Sequence, residues 1–147
     1  MRHASHGSKD AQTGVDHSGR GPSWDRIENL VRAFEECILP RRSWTHDAHL
    51  LVGYYYVARL GRIGAMEMLR VGIPRYNELT GRSEAERRGY DEGTTRRYVD
   101  AIADWVVTHR GTIGDGDMAI LLSELRLATS SVCHRPETAA DSGTHRV

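Results

Sequence analysis

The chain has 147 residues, 20 Lys plus Arg against 20 Asp plus Glu, a formal net charge of zero and a pI near 7.1. That length supports one domain around one core, and the neutral balance supplies no field to draw in nucleic acid or an acidic membrane surface. No apolar run reaches the roughly 18 residues of a membrane span, and the N-terminus has no apolar leader segment, so the expectation is a cytoplasmic protein.

The cysteines, Cys37 and Cys133, are too few and too far apart to frame a disulfide scaffold. Lys9 is the only lysine. An arginine-dominated basic set reads as the bias of a GC-rich, actinobacterial genome and not as a phosphate-binding signal. The pairs Arg41-Arg42, Arg87-Arg88 and Arg96-Arg97 read as solvated surface.

Residues 1–22 are rich in Gly, Ser, His and Asp and nearly devoid of large apolar groups. Such a segment cannot bury enough surface to offset its ordering entropy, and a disordered tail is expected, with a second flexible tail over 131–147. Between them, residues 23–130 read as one helical domain. The spacing of Ile27, Leu30, Val31, Phe34 and Ile38 predicts a first helix over 24–38, capped by Ser23 and stopped by Pro40. A second helix is expected from Trp44 or Thr45 to Leu60, with Gly61 as its exit. A third covers about 63–79, kinked or divided at Pro74. A polar connection over 81–93 precedes a fourth helix starting at Thr94 or Thr95. A fifth carries Met118, Leu121, Leu122 and Leu125. The predicted fold is all-α, a compact single-domain bundle of about five helices.

The chemistry-bearing residues lie at two places. His46 and His49 are three apart near the start of the second helix, so their side chains project together. Imidazole suits a divalent transition metal such as Fe or Zn, although a His-x-x-His spacing is common and structural histidines fit it too. Asp91 and Glu92 lie just before the fourth helix, where acidic residues also complement a helix dipole. Two histidines and one carboxylate make the minimal set for a mononuclear site with open positions.

The combination W-T-H-x-A-H-L (Trp44, Thr45, His46, Ala48, His49, Leu50), then Gly72, Ile73, Tyr76 and Asn77, then Gly89, Tyr90 and Glu92, resembles a family of small bacterial helical proteins without established function. The resemblance covers about residues 30–110 and implies no assigned reaction. Where the family's G-Y-H-E-T motif has His, this chain has Asp91, and where it has Thr, this chain has Gly93. Asp91 keeps a potential ligand but exchanges a neutral one for an anion. The same exchange suits a member that has lost the metal and kept the pocket.

Two functional expectations follow. The first is a metal-dependent enzyme acting on a small molecule, with His46, His49 and Asp91 as ligands, Glu92 as ligand or general base, and Tyr56 as an assisting hydroxyl. The second is a non-catalytic helical module binding a small ligand or a protein partner. Neither involves nucleic acid or membrane, and the apolar helix faces leave room for a homodimer.

Overall fold

The computed structural model describes residues 22–109 and 117–132. Among these the chain forms five α-helices and no strand, the all-α bundle that the apolar periodicity predicts. Apart from Pro22, Ser131 and Val132, the two expected tails lie outside the described residues.

Helix α1, Pro22–Glu35, seats Ile27, Val31 and Phe34 in the core. It begins one residue before the expected Ser23 cap and ends before the expected stop at Pro40. The Cys37 N–H donates to the Phe34 carbonyl and the Ile38 N–H to the Ala33 carbonyl, both at 3.0 Å, while Cys37 adopts φ 56°. This is a Schellman closure with a non-glycine residue in the left-handed position. It swings the chain away, so Ile38, expected on the buried stripe, is 67 % exposed and Leu39 is buried instead.

A 3-10 turn over Arg41–Ser43 leads into α2, His46–Thr80, which joins the second and third expected helices. Run straight at about 1.5 Å per residue, the chain would hold Trp44 and Tyr76 roughly 48 Å apart. Their ring centroids are 5.2 Å apart. The helix therefore folds back on itself, and the fold-back is at Gly61, its one residue with non-helical angles (φ 74°, ψ −177°). That region of backbone space is essentially reserved for glycine. Two antiparallel arms, 46–60 and 62–80, result. Helical angles persist through Pro74, where a division was possible. The amide that Pro74 lacks would have bonded to the carbonyl of Arg70, an exposed residue that water can serve.

Helix α3, Glu84–Arg87, is a single turn inside the expected polar connection, closed by a capping box between Ser83 and Glu86. Helix α4, Glu92–Thr108, starts earlier than expected, because Asp91 and not Thr94 or Thr95 is its cap. Helix α5 covers Met118–Thr129. The long α2 packs against all four other helices, and α4 packs also on α5. A Cβ at Gly53 would stand 3.2 Å from Ile102 Cδ1, so the bare glycine lets α4 lie close to the first arm of α2. Arg126 of α5 grips Asp47 in the first turn of α2 through both carboxylate oxygens. No described helix is long and apolar enough to cross a membrane.

Gly61 has open space around it, so a methyl group there meets no atom and the whole penalty lies in the backbone. Gly61→Ala is expected to lower unfolding free energy by about 1–3 kcal/mol. Gly93→Ala, at an exposed helical position with ordinary φ, is expected to raise it by about 0.5–1 kcal/mol. Urea unfolding of both variants checks the opposite signs.

Candidate functional site

The two expected chemical clusters come together at one cavity of about 560 Å³. Four segments build it. The first arm of α2 contributes His46, His49, Leu50 and Gly53, and the second arm Leu69 and Ile73. The connection before α4 contributes Gly89, Tyr90 and Asp91, and α4 itself Thr94, Thr95, Tyr98, Val99 and Ile102. Trp44 closes one end. Both α2 and α4 begin here, and their first turns carry the polar groups while the apolar residues further along form the floor.

The start of α2 is fixed by Thr45, whose hydroxyl accepts the Ala48 N–H at 3.3 Å. His46 is the first helical residue and stands edge-on to Tyr98, ring centroids 5.8 Å apart. Its ring makes no hydrogen bond to the described residues. His49 lies against Trp44, centroids 3.8 Å apart, and its Nδ1 is 2.6 Å from the Thr45 carbonyl oxygen. A carbonyl oxygen only accepts, so Nδ1 carries the proton and Nε2 holds the lone pair of the neutral ring. Surrounding protein atoms penalise the charged form and lower the His49 pKa from the usual 6.5; the Thr45 bond opposes this, and electrostatic repulsion from the His46 and Arg41 side chains adds to it. Helical phase predicts two inward histidines. Both do line the cavity, but as exposed rim residues, because they occupy the first turn of α2 at the edge of the bundle.

Asp91 sits across the mouth with its carboxylate engaged as the α4 cap, Oδ1 accepting the Thr94 N–H at 2.6 Å. Its hydrogen bonds with the Thr94 side chain and backbone hold the carboxyl below the usual range. The neighbouring Tyr90 hydroxyl is buried and makes no hydrogen bond of ordinary geometry, although the Thr95 hydroxyl is near enough to act on it. Burial pushes this phenol up.

The other two expected site residues do not line the cavity. Glu92 is held by Arg70 at 2.7 Å and Arg96 at 3.1 Å, which keep its carboxyl low. Tyr56 turns toward α1 and donates to Glu35 Oε1 at 2.8 Å. Tyr54 and Tyr55 also point away, packing on Trp24. Asn77 accepts from Arg41 Nη1 at 2.8 Å, so Arg41 braces the second arm of α2 and is more than solvated surface.

Sequence reasoning missed Tyr90, Thr95 and Tyr98 as lining residues. For Thr95 and Tyr98 the signal was present: from Asp91, positions 94, 95, 98, 99 and 102 follow the same helical stripe. Among the described residues, no group of three or more His, Cys, Asp or Glu side chains is arranged to hold a metal ion. His46, His49 and Asp91 share a cavity, but the Asp91 carboxylate is committed to the cap.

No protein-family model matches the chain, and no curated protein or solved structure matches it either.

The lowered His49 pKa has a pH consequence with a definite sign. The unfolded chain binds this proton at higher pH than the folded one, so stability falls as pH drops from about 6.5 through the lowered folded value, then levels off. His49→Phe keeps a ring on Trp44 but cannot titrate. The loss of thermal stability between pH 7.5 and pH 5 is expected to be smaller in this variant than in the wild type, read by circular dichroism melts.

Proposed function

We propose that the chain is a helical module that binds a small, largely apolar molecule in the cavity between α2 and α4. The single observation that carries this reading is the cavity's division of labour. Leu50, Leu69, Ile73, Val99 and Ile102 give it an apolar floor, while the His46 ring and His49 Nε2 bring hydrogen-bonding capacity that no described residue uses. Such a volume suits a small organic ligand, and an apolar cleft with a few polar groups at one end is the usual construction of a small-molecule site.

A metal-dependent reaction on a small molecule is the second reading, and it rests on His46, His49 and Asp91 lining the same cavity. The donor set does not fit a metal as arranged. Asp91 would have to leave the Thr94 amide, exposing the first turn of α4. His49 Nε2 and the His46 ring would remain, two ligands where a stable protein site ordinarily uses three.

Methyl-resolved NMR during titration with a library of neutral fragments separates the readings. Saturable shifts are expected at Leu50, Leu69, Ile73, Val99 and Ile102, and are expected to vanish in Thr95→Trp, which fills the mouth. Absence of any such shift would remove the binding-module reading. Elemental analysis of untagged protein, beside a His46→Ala/His49→Ala variant, tests the other. Near-stoichiometric Fe or Zn in the wild type, lost in the double variant, would establish it.

A further inference from the structure

We infer that His49 reads the ligand: the cavity selects neutral, largely apolar molecules that present one O–H or N–H donor to His49 Nε2. The inference rests on the reading of the cavity as a small-molecule site and adds the chemical class of its occupant.

Three observations combine. First, the tautomer is fixed by geometry. With Nδ1 2.6 Å from the Thr45 carbonyl oxygen, the proton of the neutral ring is on Nδ1 and the lone pair on Nε2. Second, the ring is held in place. Trp44, itself buried, lies 3.8 Å from it between centroids, and the bond to the Thr45 carbonyl fixes rotation about the side chain. The two imidazole nitrogens face nearly opposite ways, so Nε2 is turned from the backbone of the first turn, and no described residue bonds to it. Third, the cavity's charge inventory rejects ions. Neither Lys nor Arg lines it, so an anion finds no permanently charged cation in the lining. Its one carboxylate, Asp91, caps the Thr94 amide through Oδ1, so a cation would compete with that cap.

A molecule with acceptors alone would set its lone pair against that of Nε2. A molecule with neither donor nor acceptor would strip water from Nε2 and leave it unpaired. A single donor on an apolar body satisfies both the nitrogen and the floor.

The probes are p-cresol and p-xylene, which differ by a hydroxyl in place of a methyl group. Their dissociation constants are measured by methyl NMR titration in the wild type and in His49→Phe. Hydrophobicity favours p-xylene equally in both proteins, so the informative quantity is the ratio of the two constants. The preference for p-cresol over p-xylene is expected to fall roughly tenfold in His49→Phe, the weight of one hydrogen bond that the bound molecule shields from water. A ratio unchanged within about twofold would overturn the role of His49 while leaving the binding module intact. Failure of both probes to produce saturable shifts at the cavity methyls would overturn the module and this inference together.

A measurement on the wild type alone keeps the test open should His49→Phe fold poorly. Long-range nitrogen-proton correlation spectra report the His49 tautomer directly. An unprotonated Nε2 resonance that moves on saturation with p-cresol and stays with p-xylene is expected. A proton on Nε2, or no movement with p-cresol, would contradict the assignment.

Discussion

Everything in this molecule depends on the fold-back of α2 at Gly61. A 35-residue helix left straight would pass beyond any core that a chain of this size can build. Bent at one residue with angles open only to glycine, it supplies two antiparallel walls instead. The join is closed at the far end by aromatic rings. Phe34 of α1 stacks on Trp44 at 4.7 Å and leans on Tyr76 at 5.5 Å, while the Tyr76 hydroxyl donates to the Leu39 carbonyl at 2.9 Å. Three points of the chain that are distant in sequence therefore meet at one buried cluster. Arg41, lying over Tyr76 and bonded to Asn77, covers it from outside.

The same cluster positions the cavity. Trp44 belongs to the aromatic core on one side and stacks against His49 on the other, so the ring geometry of the site inherits the rigidity of the core. The capping residues do the equivalent work for the polar rim. Thr45 and Asp91 each satisfy an amide in the first turn of their helix, and each thereby sets where the neighbouring side chains emerge. Asp91 is negative, and a carboxylate at a helix N-terminus is favourable to the dipole as well as to the amide. With Oδ1 used in this way, a metal would have to compete with the cap for the carboxylate, which is why structural chemistry weighs against its service as a ligand.

How much of this was readable in the residues depends on the range of the interaction. The helices of the first half follow from 3.6-residue periodicity, and the break at Gly61 from a glycine at the right place. What periodicity cannot register is the direction the chain takes after the break: Gly61 read as an exit between two helices, whereas its angles turn one arm back onto the other. The early end of α1 was hidden because Cys37 takes a left-handed conformation usually given to glycine or asparagine. At the site, the pairing of His46 and His49 was legible, since it is local. Their meeting with Asp91 rested on analogy. The fates of Glu92 and Tyr56 were not legible at all, because each is decided by a partner far along the chain, Arg70 and Glu35.

The cavity itself needs a physical reason to persist. Elsewhere the interior is closed tightly, with Val52, Tyr54, Ala65, Tyr76 and Leu125 showing no exposed surface. Larger side chains at Thr94 or Thr95 would fill space that the present residues leave open, and filling an apolar void is ordinarily stabilising. The walls Leu69, Ile73, Val99 and Ile102 are themselves buried, yet they border a cleft that, without a ligand, only water can enter. The folded chain thus forgoes dispersion contacts and leaves His49 Nε2 without a bond from any described residue in the same small volume. A ligand that supplies both recovers these losses at once, and by mass action it would stabilise the fold it enters. The coincidence of an unfilled apolar floor with unspent polar groups at its rim is what separates this cavity from a packing defect.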